Sequence, residues 1–358
     1  MSSTSQRLED IIYIGTYTEG GSGTTGSEGI YVCRLDRSTG MLSLVSAVGG
    51  ASNPSFLALD PEHRHLYAVS EMGAGAVVAY ELDPEGGVLT LLNRAPSGGS
   101  APCHLSVDPR GRWVVVAHYG DGSVSVLPRE AEGRVRPVAE VVQHVGASVN
   151  PERQEGPHAH QAIFGPDGAV LVADLGIDQV LAYALDEGTG ELRPRGTPGV
   201  VQPGSGPRHM AFSRDGRFLY LLNELTYTVT VFAYDGAGLS PLQTVPMLPE
   251  SFAGNSGADI HLTPDGAWLY ASNRGHDSLA RFAVNAVTGM LEPRGHTPTG
   301  GRTPRNFAVD PDGVFLLAAN QDSGRVVVFR IDAATGELEE TGGALDIPAP
   351  VCVLFARG

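Results

Sequence analysis

The chain has 358 residues, a formal net charge of −16 at pH 7 and 42% hydrophobic residues. The acidic balance argues against nucleic acid and anionic membranes as main partners, because both attract basic surfaces. The 47 glycines and 25 prolines are typical of many short strands joined by tight turns. Length alone suggests two domains, but large all-β folds often form one.

The first ten residues contain no apolar run of the kind found in signal peptides, and no later segment resembles a membrane-spanning helix. We therefore expect a disordered N-terminus over residues 1–10, a single domain over residues 11–358 and a cytoplasmic protein. Cys33, Cys103 and Cys352 are odd in number and lack metal-site spacing. This usage favours a reducing compartment without disulfides.

From residue 11 onward, a turn signal returns at regular intervals. The second residues of these turns occupy positions 61, 109, 166, 214, 264 and 311, so the intervals are 48, 57, 48, 50 and 47 residues. Several of the turns continue as Asp-Gly, as at 167–168, 265–266 and 312–313, where glycine supplies the positive φ that tight hairpins need. A repeat of this length indicates a solenoid or a propeller.

Each turn lies between two apolar runs, here called strands A and B. A third run, strand C, follows, and a Thr-Gly turn then leads into a more polar strand D. The Thr-Gly signals are Thr39-Gly40, Thr189-Gly190, Thr288-Gly289 and Thr335-Gly336. A meander of four antiparallel strands with a polar outer strand is the blade of a propeller.

The two chain ends complement each other. The chain begins at a strand B over residues 11–15 and ends on a lone strand A over residues 349–355. Six complete copies and one shared copy make seven. The sequence therefore predicts an all-β, seven-bladed β-propeller of four-stranded antiparallel blades, closed by one blade shared between the N- and C-terminal strands. No sustained apolar period of 3.6 residues predicts a long helix.

Because strands A and B are antiparallel, the starts of A and the ends of B meet at one mouth of the propeller. Polar side chains are concentrated at both places. At the starts of A these are His104, His158, His160, Arg208, His209, Asp259 and Arg305. At the ends of B they are Glu71, Glu224, Asn273 and Arg274. Convergent polar groups in a concavity favour a ligand site, and the alternative is a hydrated channel without function.

Two ligand chemistries are conceivable at this mouth. The histidines, with Asp259 and His261, could in principle bind a metal ion. Their spacing matches no defined metal motif and the neighbouring arginines repel cations, so we predict no metal site. Arg208, Arg274 and Arg305 fit better as clamps for a carboxylate or a phosphate. The alternative role of each arginine is an ion pair with a neighbouring acidic side chain.

Seven segments, spread over almost the whole chain, carry a family resemblance. They are Ile-Gly-Thr-Tyr-Thr at 14–18, Asn-Pro-Ser-Phe-Leu at 53–57, Gly-Pro-His-Ala-His-Gln at 156–161, Gly-Pro-Arg-His at 206–209, Tyr-Leu-Leu-Asn-Glu at 220–224, Ser-Asn-Arg-Gly-His-Asp-Ser at 272–278 and Thr-Pro-Arg-Asn-Phe at 303–307. The chain resembles the seven-bladed propeller lactonases, which include the bacterial 6-phosphogluconolactonase type and the fungal carboxy-cis,cis-muconate cyclase.

The resemblance implies a cleft with one histidine, two arginines and one glutamate, and an enzyme without a cofactor. The matching positions are His160, with His158 as its rival, Arg208, Arg274 and Glu224.

The main hypothesis is hydrolysis of a sugar δ-lactone, 6-phosphogluconolactone in particular. Glu224 or His160 would activate a water, and Arg208 or Arg274 would stabilise the oxyanion. Arg305 would hold the substrate phosphate. The remaining polar residues of the mouth would contact the substrate; these are His158, His104, His209, Asn273, Asp259 and Glu71.

Two other hypotheses stay open at this point. One is a lactone-forming or lactone-opening reaction of the muconate type, in which the arginines grip carboxylates. The other is a non-catalytic propeller that binds a ligand or a protein through a rim. The partner expected from the main hypothesis is a small anionic sugar lactone, and we expect a monomer or a weak dimer.

Overall fold

The computed structural model describes residues 8–20, 26–83, 88–248, 252 and 254–356. Within these ranges the regular structure is entirely β, and its thirty strands form seven antiparallel sheets. This confirms the predicted all-β, seven-bladed propeller. Among the described residues, no helix is long and apolar enough to cross a bilayer.

Blades 1 to 3 follow one another along the chain. Blade 1 comprises β4 (Leu57–Leu59), β5 (His65–Ser70), β6 (Ala76–Leu82) and β7 (Leu89–Pro96). Blade 2 comprises β8 (Pro102–Val107), β9 (Trp113–His118), β10 (Ser123–Pro128) and β11 (Glu140–Gln143). Blade 3 comprises β12 (Ala159–Phe164), β13 (Val170–Asp174), β14 (Gln179–Leu185), β15 (Leu192–Pro194) and the short β16 (Gly199–Val200).

Blades 4 to 6 repeat the pattern, and blade 7 joins the two ends of the chain. Blade 4 comprises β17 (Pro207–Phe212), β18 (Phe218–Asn223), β19 (Thr228–Tyr234) and β20 (Leu239–Pro246). Blade 5 comprises β21 (Ser256–Leu262), β22 (Trp268–Arg274), β23 (Ser278–Val284) and β24 (Leu291–Pro298). Blade 6 comprises β25 (Pro304–Val309), β26 (Phe315–Asn320), β27 (Arg325–Ile331), β28 (Leu338–Glu340) and β29 (Leu345–Asp346). Blade 7 comprises β1 (Glu9–Thr16), β2 (Ile30–Asp36), β3 (Leu42–Val48) and β30 (Pro350–Phe355).

In blade 7 the last strand pairs with the first. β30 lies antiparallel to β1, with Ile12 opposite Phe355 and Ile14 opposite Val353. β1 already begins at Glu9, which pairs with Asp36. Part of the segment predicted to be a disordered N-terminus is therefore a strand, because its backbone continues the ladder with β2. Residues 1–7 of that segment lie outside the described residues.

The turns between strands A and B are closed by side chains as well as by glycine. In blade 6, the Asp310 carboxylate accepts hydrogen bonds from the backbone N–H groups of Val314 (2.5 Å) and Phe315 (2.7 Å). Gly313 adopts a φ of 71° in the same turn, which a side chain would disfavour. These turns lie at the mouth opposite the predicted site.

The hydrophobic core lies between the blades. Each apolar cluster draws its residues from two neighbouring sheets, as where Trp113 and Val115 of blade 2 pack with Val170 and Val172 of blade 3. Every residue of strand B is buried in blades 2 and 4, and all except the last residue, His118 or Asn223, are apolar, whereas the outer strand of blade 5 is largely exposed. The A strands contact one another around the central channel.

The A strands share an irregularity at their start. In blades 2, 3, 4 and 6 the pairing with strand B shifts by one residue, which leaves Cys103, His160, Arg208 and Arg305 as the extra residues of β-bulges. In blade 5 the shift leaves out two residues, one of which is Asp259. A bulge redirects a side chain away from the regular alternation of the strand. We call these positions the bulge ring.

Candidate active site

The bulge ring surrounds the channel at the mouth where the A strands begin. A cavity of about 310 Å³ opens above it. Its lining residues are Glu71, Cys103, Tyr119, Arg153, His160, Glu224, Ser256, Arg274 and Arg305. Beneath it lies a chamber of only about 10 Å³. The residues around this inner chamber are Ser55, Phe56, Glu71, Cys103, His160, Arg208, His209, Arg305, Asn306 and Val351.

Glu224 forms the centre of a charged cluster. Its Oε1 accepts a hydrogen bond of 2.7 Å from Arg153 Nη2. Its Oε2 lies 2.9 Å from Arg208 Nε and 3.0 Å from Arg274 Nη2. Burial raises the pKa of the Glu224 carboxyl, but Arg274, Arg208 and Arg153 outweigh burial and hold it well below its ordinary value of 4.5. Both oxygens of the Glu224 carboxylate are therefore already paired with guanidinium groups.

Backbone carbonyls hold the two inner arginines in place. Arg208 donates from Nη1 to the carbonyl of Ala258, and Arg274 donates from Nη2 to the carbonyl of Gly257 at 2.7 Å. Burial, Arg274 and Arg305 together lower the pKa of Arg208 to about 10 despite Glu224. Both guanidinium groups thus keep their charge at neutral pH in a buried place.

Arg153 was not among the predicted site residues. It lies in the long connection between β11 and β12, and its guanidinium also contacts the Tyr119 hydroxyl at 3.1 Å. The connection is fixed by Gln154, which donates to the carbonyl of Leu175 at 2.8 Å, and by the Asn150 side chain, which accepts from the N–H of Arg153 at 3.2 Å. Long connections on a rigid scaffold commonly carry function, but the length of a connection does not indicate which of its residues enters the site.

Arg305 approaches the cavity from the other side. Its guanidinium lies over the Tyr17 ring, 5.3 Å from the ring centre. Among the described residues it has no hydrogen-bond or ion-pair partner, and it lines the cavity. Glu71 instead accepts hydrogen bonds from the Tyr17 hydroxyl at 3.1 Å and from the Ser55 hydroxyl. Tyr17 and Ser55 were not named as site residues, although both belong to segments that carry the family resemblance.

The two rival histidines occupy different places. His160 is the bulge residue of β12 and lines both the cavity and the inner chamber. His158 precedes the strand, stacks on Tyr119 with ring centres 4.6 Å apart and bonds through Nδ1 to the Tyr119 carbonyl oxygen at 2.7 Å. Burial and the charge of Arg208 hold the pKa of His160 well below its ordinary value of 6.5, so the ring is neutral at pH 7.

Further polar residues of the channel surround Asp259, which is itself a position of the bulge ring. His209 bonds through Nδ1 to Asp259 at 2.7 Å, and the other carboxylate oxygen of Asp259 lies 2.9 Å from His261 Nε2. His104 packs on Phe56 with ring centres 4.1 Å apart. The described residues contain no group of three or more His, Cys, Asp or Glu side chains that could hold a metal ion.

The predicted residues therefore divide into two groups. Those brought to the cavity or to the inner chamber are Glu71, His160, Arg208, His209, Glu224, Arg274 and Arg305. Those that line neither are His104, His158, Asp259 and Asn273. Asn273 is fully buried and accepts a hydrogen bond from Asn255 at 3.1 Å.

The chain matches the family model "Lactonase, 7-bladed beta-propeller" over residues 11–355. It belongs to this lactonase family. It is 38% identical over 348 residues to a Bacillus subtilis protein named 6-phosphogluconolactonase, covering 96% of this chain and 97% of that one. A Formosa agariphila protein of the same name is 35% identical and covers 84% of this chain and 86% of its own length.

A solved structure extends the likeness to three dimensions. The periplasmic gluconolactonase PpgL of Pseudomonas aeruginosa superposes with a TM-score of 0.91 at 36% identity, covering 97% of this chain and 99% of that one. The resemblance stated from the sequence segments is thus confirmed, and the expectation of a lactone-hydrolysing enzyme is confirmed at the level of the family.

Proposed function

We propose that this lactonase hydrolyses 6-phosphogluconolactone to the open acid. The names of the relatives from Bacillus subtilis and Formosa agariphila support this substrate. The observation that carries the proposal is Arg305, a cation in the cavity that has no hydrogen-bond or ion-pair partner among the described residues and lies over the face of Tyr17. An unpaired guanidinium fits a phosphate, which it can bind in a bidentate manner.

The charge balance of the site supports an anionic substrate. Four arginines surround two glutamates in and beneath the cavity, so the site is locally positive although the whole chain has a net charge of −16. Local positive potential raises the concentration of an anion in a cleft. The ring of a phosphorylated lactone would lie between Arg305 and the Glu224 cluster.

In the proposed mechanism, His160 is the general base. Its neutral ring takes a proton from a water whose oxygen attacks the lactone carbonyl carbon. Arg274 stabilises the negative charge on the carbonyl oxygen. The bond between the carbonyl carbon and the ring oxygen then breaks, and His160 returns the proton to that oxygen. The products are a hydroxyl group and a carboxylic acid, which ionises and releases its proton to solvent.

Glu224 serves as an anchor in this mechanism. Both of its oxygens are already occupied by arginines, and its pKa is held well below the ordinary value by Arg274, Arg208 and Arg153 against burial. A carboxylate with so little affinity for protons is a poor base at neutral pH. It keeps Arg274 charged and fixed where the oxyanion forms.

A substrate panel tests the proposal. Freshly made 6-phosphogluconolactone, gluconolactone and muconolactone are assayed by pH-stat, and spontaneous hydrolysis is subtracted. We expect the phosphorylated lactone to have the highest kcat/KM. Arg305→Ala should remove this preference mainly by raising KM, by about 10-fold or more for a lost charged contact. Equal kcat/KM for the phosphorylated and plain sugar lactones would contradict the phosphate assignment.

Gluconolactone is the specific competitor in this panel, because the Pseudomonas aeruginosa relative carries that name. We also propose that the protein acts in the cytoplasm as a monomer or weak dimer. Its three cysteines are free and buried, in keeping with the reducing compartment expected from the sequence. The periplasmic location of the named relative makes cell fractionation the direct test.

A further inference from the structure

Two buried histidines of the site have ring nitrogens without a hydrogen-bond partner among the described residues. They are Nδ1 of His160 and Nε2 of His209. Both side chains are more than nine-tenths buried, and their ring centres are 5.2 Å apart. Buried polar atoms normally have a hydrogen-bond partner, so a single molecule that bonds to both nitrogens would account for both.

Asp259 determines which nitrogen of His209 carries the hydrogen. Its Oδ1 lies 2.7 Å from His209 Nδ1. Asp259 is buried, and its other oxygen accepts from Asn306 and lies 2.9 Å from His261. A carboxylate only accepts hydrogen bonds, so His209 must donate from Nδ1. The Nε2 atom of His209 is therefore a buried acceptor.

The inner chamber borders both rings. It is lined by both His160 and His209 and measures about 10 Å³. A polar cavity needs about 10–15 Å³ to hold one water molecule. Such a water can accept from one ring nitrogen and donate to the other, which satisfies both atoms with one molecule.

We propose that Asp259 and His209 are positioning residues that set the tautomer of His160 through a single water in the inner chamber. His209 Nε2 accepts from the water, and the water accepts from His160 Nδ1–H. The hydrogen of His160 is thereby held at Nδ1, and its Nε2 keeps a lone pair for the attacking water. This inference rests on the proposed role of His160 in lactone hydrolysis.

His104 does not take part in this arrangement. Its Nδ1 is also buried and has no hydrogen-bond partner in the described part of the chain, and its ring centre is 5.8 Å from that of His209. However, His104 packs on Phe56 and does not line the inner chamber. The arrangement therefore runs from Asp259 through His209 to His160 alone.

The first test reads the tautomer itself. Two-bond ¹H–¹⁵N correlation spectra of the ¹⁵N-histidine-labelled protein distinguish the two neutral tautomers, and the His160 signals are assigned by their loss in His160→Gln. We expect the Nδ1–H form in the wild type. We expect a mixture or the Nε2–H form in Asp259→Asn and in His209→Gln. Wild-type His160 in the Nε2–H form, or no change in either variant, would overturn the proposal.

The second test is kinetic and uses a matched control. Asp259→Asn should lower kcat by about 10- to 100-fold and leave KM nearly unchanged. This loss is smaller than the about 10²–10⁴-fold effect of losing the general base itself, because His160 is still present. Asp60 forms a similar buried pair with His65, 2.8 Å apart, at the opposite mouth. Asp60→Asn should retain wild-type kcat, and an equal loss in both variants would show a merely structural effect and refute the positioning role.

The pH dependence of kcat is a further test, because a merely structural role of Asp259 would not change it. The titratable and charged groups that face His160 are Arg208, His209, Arg274, Arg305, Tyr119, Cys103 and Glu71. Removing the negative charge of Asp259 leaves the surroundings of His160 more positive, which lowers the pKa of His160. The acid limb of the pH–kcat profile should therefore move to lower pH, and the plateau of the profile should fall. A lower plateau with an unmoved limb would count against the proposal.

The proposed lactonase function and the positioning role of Asp259 and His209 can be refuted independently of each other. If the wild type hydrolyses none of the three lactones but His160 shows an Nδ1–H tautomer that depends on Asp259, the proposed function is refuted and the positioning role of Asp259 and His209 is supported. If the wild type hydrolyses the phosphorylated lactone but the tautomer of His160 is unchanged in Asp259→Asn, the proposed function is supported and the positioning role is refuted.

Discussion

Replacing Glu224 by glutamine tests whether this side chain is an anchor or a base. The substitution preserves the shape of the side chain and removes its charge. Three arginines then lose their common counterion, since Arg153, Arg208 and Arg274 all lie within 3.0 Å of the carboxylate oxygens. An anchor and a base give different results, because only the loss of an anchor destabilises the fold.

The expected loss of stability follows from the burial of the three pairs. The Arg208 and Arg274 side chains are 2% and 14% exposed, so their pairs with Glu224 are largely desolvated. Removing one partner of a buried pair costs about 3–5 kcal/mol. Arg153 is 38% exposed, and its pair adds only about 0–1 kcal/mol. We expect Glu224→Gln to lower the free energy of unfolding by about 3–5 kcal/mol.

Urea denaturation at pH 7 measures this difference, with Glu187→Gln as the control. Glu187 also pairs with two arginines, Arg110 and Arg112, but it is 47% exposed, so its loss should cost less than about 1 kcal/mol. The pKa of Glu224 is lowered in the folded state, so its contribution is complete above the ordinary value of 4.5. The gap between wild type and Glu224→Gln should therefore be constant near neutral pH and narrow as the pH falls below 4.5.

A Glu224→Gln protein that unfolds at the wild-type urea concentration would refute the reasoning, because it would show that the arginines do not depend on this carboxylate. If such a protein had also lost its turnover, Glu224 would be the base after all. Loss of both stability and turnover is the result expected for an anchor.

Other predictions address the base, the loop and the core. His160→Gln should lower kcat by about 10²–10⁴-fold and His158→Gln by much less, and the reverse order would make His158 the base. The wild-type kcat/KM should be on its plateau at pH 7 and fall only below pH 6.5, because burial and Arg208 lower the pKa of His160. In Gly176→Ala a Cβ atom would lie 1.8 Å from the Gly156 carbonyl oxygen, so the connection that carries Arg153 must move. We expect KM to rise or kcat to fall, and unchanged kinetic constants would contradict this. Tyr220→Phe should be neutral or stabilising in thermal melts because its buried hydroxyl has no partner among the described residues, whereas Tyr270→Phe should cost about 1 kcal/mol by losing its 2.6 Å bond to the Gly336 carbonyl.

The architecture could be predicted because its determinants are local and repeated. Turns with Asp and Gly recur at nearly constant intervals, and each is flanked by apolar runs. Such signals depend on only a few neighbouring residues. The start of β1 at Glu9 could not be predicted, because nothing in that segment except its pairing with Asp36 and Leu35 makes it a strand.

The candidate site was predictable only in part. The mouth and most of its charged residues follow from counting blades. The choice between His158 and His160 depends on a register shift at the start of β12, which hydrogen bonds to β13 determine and no sequence period reveals. Arg153 depends on the path of a long connection, which is fixed by tertiary bonds such as the one from Gln154 to Leu175. Non-local contacts of this kind leave no short-range signal.

The bulge ring explains how a symmetric scaffold carries an asymmetric site. Blades 3, 4 and 6 place His160, Arg208 and Arg305 at equivalent bulge positions. The corresponding positions of blades 2 and 7 hold the less polar Cys103 and Val351. The bulge positions therefore carry guanidinium groups in blades 4 and 6 and an imidazole in blade 3, but no such group in blades 2 and 7. A substrate with a single anionic group should for this reason bind in one orientation, and the chemistry of the site depends on which residue each blade presents at a position that the fold itself defines.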